Sequence, residues 1–397
     1  EFNEAIPLLR RPDRWEETLA DYASTSLTLG PHPLELLRPG LSERGICTAA
    51  DMGRQENGEV IRVAGLVINR QRPMTASGVV FMTLEDETGQ ATGYRQTGGM
   101  WLAQGVERMA ELRRMKSLGD MHGLGAEIIS PGQARERFPL LNPDGLAGAL
   151  WVKEDGQLNP VDLCMAYARG ARSAGVSIRE HSAVASLEKR GSRICAVILD
   201  DGEHIEVSRI INCAGLWAGM VGSLVGAEIP LAAVEHMYLV SEPVDSLPDP
   251  CPVIRDLDSG IYVKGDAGKL VLGQFEPNAR IWNPAGCDPK ADFLEFPEDW
   301  EQAEPMLDAG IHRVPLFGTL GISRTMNGPE SFTPDTRQLM GQIPGFENFY
   351  IAAGFNSIGI MSSAGVGRVM ADWMLDGYAP MDLWDVDIQR MQPGDGD

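Results

Sequence analysis

At 397 residues, 43% of them hydrophobic and 23% charged, the chain has room for two or three domains with buried cores. No run approaches the ~20 apolar residues that span a bilayer, and a formal net charge of −22 opposes attraction to nucleic-acid phosphates. The balance is that of a soluble, acidic, cytoplasmic protein. Six scattered cysteines (Cys47, Cys164, Cys195, Cys213, Cys251 and Cys287) form no CxxC pair, and the six histidines add no metal-ligand spacing. Free structural thiols and no metal site are expected. The opening EFNEAIPLLRRPDRWEE has no initiator Met and no export signal, and reads as the interior of a longer reading frame.

In chain order, a helix is predicted within RWEETLADYASTSLTLG, followed by HPLELLRPGLSERGI, rich in turn signals. Two β-rich runs, Val60–Asn69 and Val79–Leu84, flank a polar segment holding Pro73 and Gly78, the pattern of a hairpin. Glu85 to Gly89 is a turn by composition. The motifs HPLELLRPGL, IRVAGLVINRQRP and GVVFMTLEDETG resemble the OB-fold region of bacterial error-prone DNA polymerase alpha subunits. An OB barrel needs about five strands, and the resemblance ends near Gly89 with two or three. The segment is either a remnant hairpin or an OB-type module, and residues 1–90 are themselves net acidic, which argues against nucleic acid as a partner.

From Thr92 the character changes. GYRQTGGMWLA is strand-like, and QGVERMAELRRMKSLGDMHG is a helix with Val106, Met109, Ala110 and Leu112 at roughly helical spacing. ISPGQARERFPLL reads as a cap and helix. In DGQLNPVDLCMAYARGARSAGVSI, Asn159 is placed to cap, Pro160 to start and Gly175 to stop a helix. Leu163, Ala166, Tyr167, Gly170, Ala171 and Ala174 form its stripe, and the small residues suggest close packing against a sheet. Strands follow in VSIREHSAVASLE, RICAVILD and HIEVSRIINCAG, and the tail MQPGDGD is expected to fray.

The motifs GYRQTGGMWLA, DGQLNPVDLCMAYARGARSAGV, IINCAGLWA, EHMYLVSEP, NGPESFTPDTRQLMG and FYIAAGFNSIGIMSSAGVGRVMADWMLDG occur in order over some 300 residues. Together they resemble FAD-dependent amine oxidoreductases of the D-amino-acid oxidase superfamily, dimethylglycine and sarcosine dehydrogenase branch. Ala214-Gly215 is a small-residue turn after a strand, where backbone can approach a flat ring closely. The resemblance implies that Ala214, Gly215 and Trp217 lie beside FAD, with Val184 at the adenine. AAGFNSIGIMSS reads as a buried strand ending at Gly354 and a helix beginning near Asn356-Ser357, whose N-terminus suits an anionic flavin edge. Gly354, Phe355, Asn356, Ser357 and Ile358 match that position, and Gly328, Pro329 and Glu330 match a loop passing near the ring. His236 and Tyr262 match the residues that face the amine. A His can accept the amine proton near neutral pH and a Tyr hydroxyl can orient the substrate, although a lone His on a strand is also an ordinary structural residue.

The family's strand–GxGxxG–helix phosphate cradle has no counterpart here. GLGAEI at Gly123–Ile128 lacks the third Gly, and GVGRVM at Gly365–Met370 falls inside the last helix. The early segment that carries the covalent FAD-linking His in this branch is likewise unmatched. The fold class implied is α+β (mixed α/β): a partial FAD-binding Rossmann-like domain (145–226 and 325–391), an antiparallel-sheet substrate domain (92–144 and 227–324), and an N-terminal incomplete OB-like segment (1–91), joined near Gly89–Tyr94 by a fusion, deletion or assembly event. The implied function is demethylation of an N-methyl amino acid by hydride transfer to FAD, with FAD bound weakly or not at all. The alternative is a non-enzymatic chimeric remnant or a polymerase-associated binding module.

Overall fold

The structure, a computed structural model, describes residues 13–16, 18–19, 33–48, 51, 62–71, 81–85, 94–283 and 294–391. The turn at 86–89, most of the join, Cys287 and the tail 392–397 lie outside the described residues. The chain divides into two compact units, residues 1–94 with 158–178, and residues 95–157 with 179–397.

In the first unit Asp13 caps a helical turn, its carboxylate accepting from the amides of Trp15 and Glu16. Helix α1 spans Pro33–Glu43, in the run read as turn-rich. Pro33 suits a first helical turn, and burial of Leu34 secures the helix although Pro39 lies within it. Strands β1 (Leu66–Gln71) and β2 (Phe81–Glu85) pair antiparallel, as the hairpin pattern required.

Strand β3 (Gly99–Ala103), helix α2 (Val106–Met121), strand β4 (Ala126–Ile129), helix α3 (Pro131–Arg137) and strand β5 (Gly148–Val152) open the second unit. Ser130 and Gln133 close a reciprocal capping box at the start of α3. Helix α4 (Pro160–Ser173) returns to the first unit. Its Asn159 side chain accepts from the amides of Val161 and Asp162, and Gly175 adopts φ +85° just beyond its end. The local signals therefore form the helix as read.

The second unit continues with β6 (Val184–Arg190), β7 (Arg193–Leu199), β8 (His204–Glu206), β9 (Ile210–Asn212), helix α5 (Ala218–Ser223), β10 (Ala232–Pro243), β11 (Val253–Asp256), β12 (Ile261–Asp266), β13 (Lys269–Gln274) and β14 (Ile281–Trp282). Helix α6 (Trp300–Arg313), β15 (Ile322–Phe332), β16 (Leu339–Gln342), β17 (Phe349–Ala353) and helix α7 (Gly359–Asp376) complete it. A nine-stranded sheet runs β14-β10-β13-β12-β11-β3-β5-β4, with β15 also on β10. Its pairs are antiparallel except β11 with β3, which are parallel. This sheet includes β5 and β15, segments that the sequence boundaries assign to the cofactor domain. Smaller sheets are β16-β17-β9 and β6-β7-β8.

One face of the large sheet is the main core. Met237, Leu239, Ile254, Ile261, Val263, Leu270 and Leu272 pack there with Ala303 and Met306 of α6. Period-two alternation sends the intervening residues to the other face. At Gly310 the helix approaches so closely that a Cβ would overlap the Leu272 side chain. Among the described residues no helix is long and apolar enough to cross a membrane, and Cys47, Cys164, Cys195, Cys213 and Cys251 are free.

Candidate active site

The face of the large sheet away from α6 carries an aromatic and acidic cluster. His236 of β10 and Tyr262 of β12 lie with ring centroids 6.4 Å apart at 26°. Phe275, just past β13, is 5.7 Å from His236 and 6.1 Å from Tyr262. The alternation explains the meeting. Met237 and Ile261 turn into the core, so their neighbours His236 and Tyr262 turn out.

Gly273 makes room for the Tyr262 ring. It pairs with Tyr262 across the β12–β13 ladder, and a Cβ there would fall on the phenol ring. Gly273→Ala is therefore expected to push Tyr262 out of its place beside His236 and to cost about 1–3 kcal/mol of stability. Loss of ring-to-ring cross-peaks in NMR, together with a lowered urea midpoint, would check both effects.

Glu276 holds the histidine. Its carboxylate is 3.0 Å from His236 Nδ1, and its other oxygen accepts from the Met237 amide at 2.8 Å. The Glu276 side chain is only 5% exposed. Burial alone would lower the His236 pKa, but the hydrogen bond and charge of Glu276, with the charge of Glu330, outweigh it and hold the ring above its ordinary value of 6.5. Burial drives the Tyr262 phenol upward, so it stays protonated. Nothing in the sequence around Glu276 marks it as a site residue. The signal is visible only once β10 and the end of β13 are neighbours.

A cavity of about 720 Å³ lies between β17, the turn after β9 and one side of helix α7. Gly215, Glu330, Gly354, Phe355, Asn356 and Ser357 line it, as do Cys213, Ala352 and the α7 residues Ile360, Ser363 and Gly367, which the sequence reading did not single out. Asn212 shapes the turn, its side chain donating to the Ala218 carbonyl and accepting from the Ala214 amide.

The geometry corrects several expectations. Gly328, Pro329 and Glu330 are not in a loop but within the eleven-residue strand β15, because residues 322–332 pair along β10, with Gly328 opposite His236. Helix α7 begins at Gly359 rather than near Asn356-Ser357. Asn356 and Ser357 instead take φ of +49° and +66°. This costly left-handed backbone is pinned by Asn356, which donates to the Gly354 carbonyl and accepts from the Thr333 amide. Val184, Ala214, Trp217, Gly328, Pro329 and Ile358 do not line the cavity, and neither do His236 and Tyr262. Val184 opens β6, paired with Leu199 and 39% exposed. Glu330 lines the cavity and lies two residues along β15 from Gly328, the residue opposite His236, and its charge favours the protonated forms of both His236 and Tyr262.

A family model described as DAO, FAD dependent oxidoreductase, matches residues 44–373. The chain belongs to the FAD-dependent oxidoreductase family.

Among the relatives of the chain, sarcosine dehydrogenase of Mus musculus is 35% identical over 79% of the chain and 34% of its own length. The pyruvate dehydrogenase phosphatase regulatory subunit of Mus musculus is 36% identical over 81% and 37%, and dimethylglycine dehydrogenase of Rattus norvegicus 33% over 78% and 37%. The chain thus spans little more than a third of these relatives. The L-proline dehydrogenase structure from P. horikoshii shares the fold, with a TM-score of 0.64 and 23% identity over 74% of this chain and 76% of that one. An 89-residue stretch is 58% identical to the error-prone DNA polymerase of Alkalilimnicola ehrlichii, 22% of this chain and 9% of that protein.

The cavity suits one end of the family's cofactor. Its walls are apolar or small, and the backbone of Gly215, at φ +55°, has open space where a Cβ would stand. Such a site fits a flat ring. Glu330 is the only charged residue in the lining, so among the described residues no cation faces the cavity to hold a pyrophosphate.

Proposed function

We propose that this oxidoreductase demethylates a small N-methyl amino acid of the sarcosine or dimethylglycine kind. The observation that carries the reading is the His236–Tyr262 pair on the same large sheet as Glu330, which lines a cavity suited to a flat ring. FAD, when bound, supplies the acceptor for a hydride from the carbon beside a neutral amine nitrogen. The chain must bind the amine and take its proton. His236 accepts that proton, Tyr262 orients the amine with its protonated hydroxyl, and the aromatic wall with Phe275 excludes water. Gly354 to Ser357 and the α7 N-terminus would hold the ring edge. Nucleic acid has no part in this reading.

FAD binding to this chain is weak and non-covalent, because the matched sequence carries neither a phosphate cradle nor a linking His. Acid precipitation of the yellow, FAD-loaded protein is expected to leave the colour in the supernatant. Colour in the pellet would overturn the reading of non-covalent binding. A second reading, a non-catalytic remnant, is favoured by the relative named as a regulatory subunit and by a cavity lining that holds no cation among the described residues. Fluorescence titration separates the two: no FAD uptake at millimolar cofactor supports the remnant.

A further inference from the structure

We propose that Glu276 is a positioning residue for His236, fixing the proton on Nδ1 so that Nε2 presents its lone pair to the substrate side of the sheet. This rests on the amine-oxidising reading above for its purpose, but not for its chemistry. The Glu276 carboxylate is fastened at two points, one oxygen 2.8 Å from the Met237 amide and the other 3.0 Å from His236 Nδ1. The amide hydrogen bond sets the carboxylate's position independently of the ring. A carboxylate can only accept, so Nδ1 must be the protonated nitrogen of the neutral ring. Among the described residues Nε2 has no hydrogen-bond partner, and it is not among the buried unpaired atoms, so it reaches open space.

The groups that face the ring agree with this assignment. They are Tyr262 from β12, Phe275 and Glu276 after β13, and Glu330 from β15. Glu235, the preceding residue, is engaged elsewhere by Asn327 Nδ2. No other cation is in this set. When Nε2 takes a proton from a bound ammonium, the N–H bond of the substrate breaks, one forms at Nε2, and the imidazolium charge is matched by Glu276. The amine is left neutral.

The test is nitrogen NMR of the full chain with labelled histidine, the His236 signals assigned by their loss in His236→Gln. In the parent protein above the ring's midpoint, Nδ1 is expected to be protonated and Nε2 bare. Glu276→Gln removes the charge and keeps one acceptor oxygen, which the fixed Met237 amide claims; its NH2 then faces Nδ1, so the midpoint should fall by about one pH unit or more and the proton of the neutral ring should move to Nε2. Glu276→Ala removes charge and side-chain partner alike, and neither tautomer should then be preferred. Stability should respond in the same sense. A ring whose folded-state pKa is raised stabilises the fold fully below about 6.5, the ordinary value, and this contribution fades as pH rises through the folded-state midpoint. Glu276→Gln should remove that contribution, leaving burial to favour the neutral ring.

A parent ring protonated on Nε2 would overturn the proposal without any substitution, whatever the alanine variant does. An unchanged midpoint in a folded Glu276→Gln protein would do the same. Because the signal comes from the ring itself, a Glu276-dependent tautomer in a protein that oxidises no amine would sink the proposed function and leave this inference standing.

Discussion

Replacing Arg313 with alanine is expected to lower stability by about 3–5 kcal/mol, the cost of stranding a buried charge. Arg313 ends α6 and is fully enclosed, as is its partner Asp256, with Nε to carboxylate 2.8 Å. The same guanidinium donates to the carbonyls of Asn142 and Asp144, tying the loop after α3 to the helix end. Asp256 also accepts from Gln104 and from Ser259. Truncation would leave this carboxylate in a dry site without its cation and free two carbonyls. A cation at a helix C-terminus is also favourable in its own right. Urea denaturation checks the prediction. The double variant Arg313→Met with Asp256→Leu should recover much of the loss, since an apolar pair carries no desolvation penalty. A loss below about 1 kcal/mol in the single variant would place the pair among ordinary surface ion pairs.

His236→Ala, in FAD-loaded protein, should lower turnover of N-methyl amines by roughly 10²-fold or more, the usual contribution of a general base. Cofactor affinity should change little, since His236 does not line the cavity. Stopped-flow bleaching of the flavin under substrate separates the effects. A slower bleach at unchanged FAD affinity supports the assignment, and an unchanged bleach removes His236 from the chemistry. Because the ring's pKa is raised, the acid limb of the parent profile should lie above pH 6.5, activity rising as the ring loses its proton.

The readable parts of this protein were those whose causes are local. Asn159, Pro160 and Gly175 bound α4 because caps, starts and stops act within a few residues. Ser130 and Gln133 did the same for α3. The strand runs of β6, β7 and β9 announced themselves by β-rich composition. What escaped was set by partners far along the chain. GPESF looked like a loop because of its Gly and Pro, yet its pairing with β10 makes it strand. The positive φ values of Asn356 and Ser357 depend on Thr333, more than twenty residues earlier. Glu276 became a site residue only by reaching back forty positions to His236. His236 and Tyr262 came from family resemblance, and the sheet register supplies a physical reason for their proximity.

The parallel pairing of β3 with β11 has a consequence for biosynthesis. When residue 152 has left the ribosome, β3, β5 and β4 can already associate through their antiparallel ladders. The other edge of β3, Gly99 to Leu102, waits for Val253 to Asp256. At roughly 5–20 residues per second, about a hundred further residues take on the order of 5–20 s. For that interval the nascent sheet offers an unpaired edge whose strand carries Met100 and Leu102, both destined for complete burial. An open apolar edge is a template for pairing with a neighbouring chain. Yield of the native protein should therefore depend on how quickly translation delivers β11, with slow codons between 152 and 253 favouring polysome-bound aggregates over the folded sheet.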